Sequence, residues 1–575
     1  MKCRLHKFLF SFIGLLLAAI LYLSFSSEIR LKNFCDEIFR EELSANSLTL
    51  HYTLAEPENY NITPDTVTLG SYDIDTRLAK RELAAKQFYL KTIARRTLPS
   101  DYQKIYDLLN HCLETEMEYL NYMLLEEPLV PSIGIQSQLP ILLAEYTFES
   151  ETDVENYFSL LSCIPEYFNS LMKLEEEKIS HGLFMDPEST LELITFCKEF
   201  LSEQKNHFLQ QTFEERLENL SLPVEKAALY KKRNFSFLKN SVYPAYEKLQ
   251  KFLEEHKDSG NNVNGLFYLP EGNDYYAWLL RSEIGCNRSF EEIEAILDHA
   301  LKEDAKLIAQ LTKENPKLLD QRTDIHFDIS NPAALTAYLA KRSQHDFPKI
   351  PEVHFEICNV PKSMEPHLSP AFYLIPAIDR RDQNMIYLNH SSLTDAVSFF
   401  TTLAHESYPG HLYQTVYENS KNSHPVNRLL YCGGYTEGWA TYAEQLSYYY
   451  APISEDLAAL LSTTRAMTLN LYSHLDLYVH AYGWTEEDCS DYLKKFGITG
   501  SSSIHNIFML VKQQPANYLK YYLGYLEICM LRDEAKERLE DRFDLKEFHK
   551  FLLDYGPAPF ELLEIYMEEW LSLHF

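Results

Sequence analysis

Two histidines and a glutamate that could hold and use a metal ion stand together in the segment HESYPGH, from His405 to His411. Imidazole nitrogens are common zinc ligands, and Glu406, beside one of them, could take a proton from a reacting water. Composition alone gives about 0.1 expected matches to a His-acid-x4-His pattern in such a chain, so the pattern by itself is only suggestive. The segment is a candidate site for metal-assisted hydrolysis.

The spacing of the two histidines differs from the common motif, in which they stand four residues apart on one helix face. On an unbroken helix, His411 would lie about 120° around the axis from His405, too far to share a metal ion. Pro409 cannot donate a main-chain hydrogen bond and Gly410 tolerates unusual dihedral angles, so we expect the helix to kink or end near Tyr408. Such a break could bring His411 back to the metal. The alternative is that His411 caps the helix and another ligand completes the site.

Two further acids follow in the segment GGYTEGWATYAEQL, where Glu437 and Glu444 are seven residues apart on one face of a predicted helix. Carboxylates among Trp439, Tyr442 and Leu446 are costly to bury unless they are paired or bind a metal. Helical glutamates are usually solvated, so a purely structural interpretation of both acids also stays open.

Most of the chain that must position these residues has helical signals. Only 17 glycines occur in 575 residues, which favours long helices over tight turns. Capping-box spacing marks helix starts at Ser289 with Glu292 and at Thr485 with Asp488. We therefore predict a mainly α fold.

A small sheet is predicted immediately before the motif helix. Three short segments rich in β-branched and aromatic residues indicate its strands: Val353 to Ile357, Ala371 to Ile375 and Asn384 to Leu388. An edge strand at this place could pair with the main chain of an extended peptide. A sheet that only braces the fold is the alternative.

The first 27 residues are predicted to be a cytoplasmic tip with a signal anchor. Lys2, Arg4 and Lys7 precede an uncharged apolar stretch from Phe8 to Phe25, which places the rest of the chain outside the membrane. A cleaved signal peptide, giving a secreted protein, is the alternative. The net charge of −31 disfavours nucleic acid as a partner, and the ten cysteines form no CxxC pair.

Several ordered motifs resemble the family known as domain of unknown function 885 (DUF885), whose members resemble gluzincin metallopeptidases such as thimet oligopeptidase and angiotensin-converting enzyme. The likeness covers nearly the whole chain after the apolar segment. Its main motifs are TLAHESYPGHLYQ (402–414), GYTEGWATYAE (434–444), the stretch with Arg465, Asp476, His480 and GWT (483–485), and YYLGYLEICMLR (521–532).

This resemblance implies a large helical, two-lobed gluzincin-like fold around a deep cleft, with the small sheet next to the active-site helix. Residues 28–575 would form one metallopeptidase-like domain, with residues from about 28 to 350 as the N-terminal lobe and 351–575 as the zinc-site lobe. One zinc ion per chain would be held by His405, His411 and Glu437. Glu406 would be the general base acting on a zinc-bound water.

The resemblance also implies different roles for the remaining candidate site residues. Glu437 is preferred over Glu444 as a ligand because its distance of 26 residues from His411 is similar to gluzincin spacing. Glu444 would then orient a ligand histidine. His480 and Tyr521 lie in family-like motifs and are candidate catalytic donors to the oxyanion that forms during hydrolysis.

The function expected from these features is zinc-dependent hydrolysis of peptide bonds in short peptides on the outer side of the membrane. A zinc hydrolase of non-peptide amides or esters would use the same metal chemistry. A third possibility is an anchored protein that binds peptides without turnover. Glu406 disfavours that possibility, because a binding protein needs no base.

Overall fold

The structure is a computed structural model. It describes residues 26–574 except positions 132, 203, 205–206, 323–324, 326, 328–330, 361–364, 366–368, 394 and 422–423. The predicted tip and apolar segment, residues 1–25, thus lie outside the described residues.

Helices make up most of the described chain, as predicted. In the first half they are α1 (26–45), α2 (Ser47–Thr53), α3 (Arg77–Lys91), α4 (Ser100–Tyr119), α5 (Ile135–Glu145), α6 (Glu151–Ser180), α7 (Pro187–Ser202), α8 (Phe208–Glu218), α9 (Val224–Phe237), α10 (Tyr243–His256), α11 (Gly272–Leu279), α12 (Phe290–Glu314), α13 (Leu318–Gln321) and α14 (Pro332–Ser343). Two π-helical turns, Leu238–Val242 and Leu280–Ile284, follow α9 and α11 directly.

The helices of the second half carry the candidate site. They are α15 (Ala396–Glu406), α16 (His411–Asn419), α17 (Gly433–Ser447), α18 (Glu455–Ala481), α19 (Glu486–Lys494), α20 (Ser501–Gln513), α21 (Asn517–Leu539), α22 (Leu545–Tyr555) and α23 (Phe560–Ser572). Both predicted capping boxes are present, because Ser289 and Thr485 accept from the main chain of Glu292 and Asp488, whose side chains accept in return.

Three short strands form the predicted sheet: β1 (Phe355–Asn359), β2 (Ala371–Leu374) and β3 (Asn384–Leu388). β3 lies in the centre, parallel to β1 and antiparallel to β2. The prediction placed β1 two residues too early and otherwise found the strands. β2 is an edge strand of this sheet.

The hydrophobic cores join distant parts of the chain. The largest combines side chains of α1, α3 and α4 with those of α14 to α17, α21 to α23, β2 and β3. A second core lies mainly within α5 to α10, and a third joins α11 and α12 to α18 and α21. The largest and third cores therefore cross the predicted lobe boundary at residue 350.

Two further observations concern the environment of the chain. Among the residues that the structure describes, no helix is long and apolar enough to cross a membrane. The nine described cysteines are all free thiols.

Candidate metal site

The predicted helix break lies between the two histidines. α15 ends at Glu406, and α16 begins at His411 after a turn that contains a cis Tyr408–Pro409 peptide. A Cβ atom at Gly410 would stand 1.8 Å from the carbonyl oxygen of His405, so this close approach of the main chain requires glycine. The indole Nε1 of Trp439 donates to the carbonyl of Pro409 at 3.0 Å and ties the turn to α17.

Glycines also bring α17 and α21 into main-chain contact. A Cβ at Gly438 would lie 2.4 Å from the carbonyl carbon of Gly524, and one at Gly524 would lie 2.1 Å from the carbonyl oxygen of Gly434. This contact lies beside Glu437 on α17 and one helical turn from Tyr521 on α21. The two helices thus present these side chains to the same region.

His405, His411 and Glu437 converge on one point. Glu437 Oε2 lies 3.5 Å from Nε2 of His405 and 3.5 Å from Nε2 of His411. One ligand atom from each of the three residues lies within 4.8 Å of the other two. The side chains are between 12% and 19% exposed, so the group is open to a small ligand.

This arrangement fits a zinc ion. Tetrahedral ligands at zinc's usual bond lengths of 2.0–2.1 Å are about 3.4 Å apart, close to both distances from Glu437 to the histidines. Glu437 Oε2 is buried without a hydrogen-bond partner, which is costly unless a cation faces it. Two imidazoles and one carboxylate are also the ligand types of catalytic zinc sites.

The charges of the three residues depend on one another. Burial would raise the pKa of Glu437, but His411 and His405 outweigh this effect and hold it well below its usual range. Burial would lower the pKa of His405, but Glu437 and Glu444 outweigh it and raise that pKa to about 10. The pocket therefore favours positive charge between these carboxylates.

Glu444 lies behind His405, on the side away from Glu437. Its Oε2 is 3.4 Å from His405 Nδ1, while Oε1 accepts from Arg465 Nε at 2.8 Å. Burial would raise the pKa of Glu444, but Arg465 and His405 lower it to about 2. An ionised carboxylate facing Nδ1 favours the imidazole tautomer that leaves the Nε2 lone pair for a metal.

Glu406 occupies a separate position beside the metal group. Its Oε2 accepts from the main-chain N–H of Tyr373, on edge strand β2, at 2.9 Å. Burial raises the pKa of Glu406, whereas His411 and His405 oppose the rise. A carboxylate with a raised pKa, held by one hydrogen bond, is suited to accepting a proton.

The two predicted oxyanion donors differ in their placement. The ring of Tyr521 stacks near His405 with centroids 6.3 Å apart, and burial, Glu437 and Glu406 raise its pKa. His480 is buried elsewhere: Nδ1 accepts from Leu266 N–H at 3.1 Å and Nε2 bonds the Val511 carbonyl at 3.0 Å. Since main-chain groups occupy both nitrogens, His480 has no donor left for an oxyanion, and the predicted role is corrected to a structural one.

Sequence reasoning missed two parts of this site. Arg465 belongs to a motif that resembles the family, and its position ten residues into α18 gave no sign that it pairs with Glu444. The Tyr373 N–H is a main-chain group, which no residue type marks in a sequence. Only the packing of β2 against α15 reveals it.

The fold and the site define a mainly α protein with a His/His/Glu group able to hold a metal ion. The family model described as "Bacterial protein of unknown function (DUF885)" matches residues 68–567. The chain therefore belongs to the DUF885 family, as its motifs indicated. No curated protein sequence matches it significantly.

Solved structures show the same fold. A candidate lipoprotein from Colwellia psychrerythraea superimposes with a TM-score of 0.80 at 19% identity, covering 95% of this chain and 99% of that chain. A candidate lipoprotein of unknown function from Shewanella oneidensis gives a TM-score of 0.58 at 16% identity, covering 86% and 93%. At these identities the likeness concerns the fold alone.

Proposed function

We propose that this chain is a zinc metallopeptidase that hydrolyses peptide bonds in short peptides on the outer side of a membrane. The observation that carries the proposal is the convergence of His405, His411 and Glu437, with ligand atoms within 4.8 Å of one another. Glu406 beside this group favours a hydrolase over a metal-storage site or a structural metal site, because neither of those needs a base.

Different residues of this chain have different roles in the proposed reaction. His405, His411 and Glu437 would hold a zinc ion, which would act as a Lewis acid and lower the pKa of water toward neutral pH. The Tyr373 N–H holds Glu406 through Oε2, which leaves Oε1 to accept a proton from the attacking water. Glu406 then passes that proton to the nitrogen of the leaving amine.

The surroundings of β2 favour an extended peptide as substrate. A groove of about 560 Å³ runs along Tyr373, Leu374 and Ile375. Its remaining lining is largely apolar and comes mostly from α2 and α5, including Leu48, Tyr52, Leu139 and Leu142. Main-chain groups of the β2 edge other than the Tyr373 N–H, together with apolar contacts, would bind short peptides of varied sequence.

Tyr521, whose ring lies 6.3 Å from that of His405, is the proposed donor to the oxyanion. We expect Tyr521→Phe to lower kcat by about 100-fold or more with little change in KM, because the hydroxyl would act mainly in the transition state. Tyr449→Phe is the matched control, because Tyr449 is an exposed tyrosine in the short helical turn, Tyr448–Tyr450, that follows α17. Equal kcat for Tyr521→Phe and wild type would remove Tyr521 from the mechanism.

A peptide library tests the proposed function. Purified protein with measured zinc content is incubated with mixed short peptides, and products are read by mass spectrometry. We expect cleavage by the wild type and its loss in Glu406→Gln, which keeps the ligands. No cleavage of any peptide by fully zinc-loaded protein would contradict the proposal, and cleavage of amide or ester compounds alone would favour a non-peptide hydrolase.

A further inference from the structure

A second cavity, of about 350 Å³, lies between the segment after α4, the start of α7, the end of α20 and the start of α21. Its charged lining residues are Glu126, Glu127, Asp186, Glu283, Lys512 and Lys520. His480 also reaches its wall, but burial lowers the pKa of that imidazole to about 4, which leaves it neutral. Acidic groups thus outnumber basic ones in the lining by four to two.

The buried charged residues behind this wall do not offset the excess of acidic groups in the lining. Lys178 is fully buried and pairs with both Glu127, at 2.8 Å, and Glu175, at 3.5 Å. Both carboxylate oxygens of Glu175 are nevertheless buried without a hydrogen bond. One ammonium therefore serves two carboxylates, and burial raises the pKa of both Glu127 and Glu175, that of Glu175 to about 7.

The two lining lysines are already engaged. Lys512 pairs with Asp186 at 2.9 Å, and Lys520 lies 3.4 Å from Glu283. Glu126 accepts a hydrogen bond from the Tyr119 hydroxyl but has no ion pair among the residues that the structure describes. A cation entering the cavity would meet this carboxylate without having to displace a lysine.

The wall of the cavity contacts the first turn of α17, the helix that carries the metal ligand Glu437. At Gly433, an added Cβ would lie 2.7 Å from the Glu283 carbonyl and 3.1 Å from Lys520 Cδ. Glu437 follows Gly433 by four residues, a rise of about 6 Å along the helix. Tyr521, beside His405, directly follows Lys520 in the chain. Two residues of the cavity wall, Glu283 and Lys520, therefore contact α17 one turn before the metal ligand Glu437.

We propose that this cavity binds a cationic group of the substrate peptide, supplied either by a lysine or arginine side chain or by a free α-amino terminus. The inference rests on the proposed function, because it takes the ligand to be the peptide held at the metal group. The ligand would have to reach from Glu437 past Gly433, about one helical turn along α17, to Glu283 and Lys520 on the cavity wall. Partly desolvated carboxylates bind such groups strongly by charge-assisted hydrogen bonds.

Peptide binding to zinc-loaded Glu406→Gln protein tests the inference without turnover. Fluorescent peptides are compared in pairs that differ only in charge: lysine against norleucine, arginine against citrulline, and a free against an acetylated N-terminus. We expect at least one cationic member to bind about tenfold or more tightly than its neutral partner. The pair whose two members differ in affinity shows whether a lysine side chain, an arginine side chain or the α-amino terminus supplies the cation.

Substitutions in the same background locate the binding group. Glu126→Gln is expected to reduce the preference several-fold, while Glu537→Gln, an equal charge change on the exposed side of α21, leaves it unchanged. Equal binding within all three pairs would overturn the inference, and so would a preference that Glu126→Gln leaves intact. Hydrolysis by wild type is measured separately: failure to cleave any peptide counts against the proposed function, whereas the binding pairs decide the cationic subsite.

Discussion

Glu437 and Glu444 lie two turns apart on the same helix, and their neighbours give them different roles. Glu437 faces the Nε2 atoms of both histidines, whereas Glu444 faces only His405 Nδ1 and is held by Arg465. The first position suits a metal ligand. The second suits a residue that keeps the His405 ring in the orientation needed for binding.

Replacing Glu444 tests this division of roles. We expect Glu444→Gln to weaken zinc affinity by about 10- to 100-fold without abolishing binding, because the amide keeps the shape but not the charge beside His405. Competition with a chelator measures the affinity, and Glu537→Gln is the control for the loss of one acidic group. Unchanged zinc affinity would show that Glu444 does not support the ligand.

The sequence predicted which residues belong to the site better than it predicted what each residue contacts. The motif and its spacing selected His405, Glu406, His411 and Glu437, and the structure brings them together. His480 came from the same kind of motif, yet α18 directs it to the main chain of Leu266 and Val511. Motif membership does not tell a buried structural histidine from one that faces a cleft, because both are part of the same packed helices.

The turn between α15 and α16 is the element on which the metal group depends. It was predictable, because proline and glycine at adjacent positions cannot continue a regular helix without distortion. Its tightness was not predictable, since the contact between Gly410 and the carbonyl of His405 arises from the folded path of the chain. The small sheet was likewise found from its composition, while the bond from β2 to Glu406 was not.

Gly410→Ala is expected to damage both stability and the site. The new methyl group would overlap the His405 carbonyl, so we expect a loss of about 3 kcal/mol in the free energy of unfolding, together with weaker zinc binding. Urea denaturation and zinc titration measure the two effects. Gly500→Ala is the control, because its Cβ would meet Ser503 Oγ at an ordinary 3.4 Å. A fully stable Gly410→Ala protein with normal zinc affinity would contradict this role of the turn.

Across the whole molecule, the site combines helices far apart in sequence with a strand of the small sheet. The residues discussed around the metal group extend from Tyr373 to Tyr521, and the largest core also includes α1, which begins the described chain. Such long-range packing explains why composition and capping-box spacing predicted a mainly α fold but not the arrangement of its cores. Local sequence patterns determine which segments form helices or strands. Which of these elements pack against one another depends on the whole chain.

Removing residues 1–25 tests the proposed tether. This change leaves α1 and its core contacts in place, so we expect the shortened protein to move from the membrane pellet to the supernatant. Its zinc content and peptide hydrolysis should equal those of the full chain, because the removed segment contains none of the proposed site residues. A shortened protein that still sediments with membranes would show that another part of the chain makes the attachment.

We propose that one zinc ion binds between His405, His411 and Glu437. Anomalous X-ray scattering from a zinc-loaded crystal, measured on both sides of the zinc absorption edge, tests it most directly. We expect one dominant zinc peak per chain, within bonding distance of both histidine Nε2 atoms and a Glu437 carboxylate oxygen. Absence of a peak there, or a dominant peak on other residues, would contradict it.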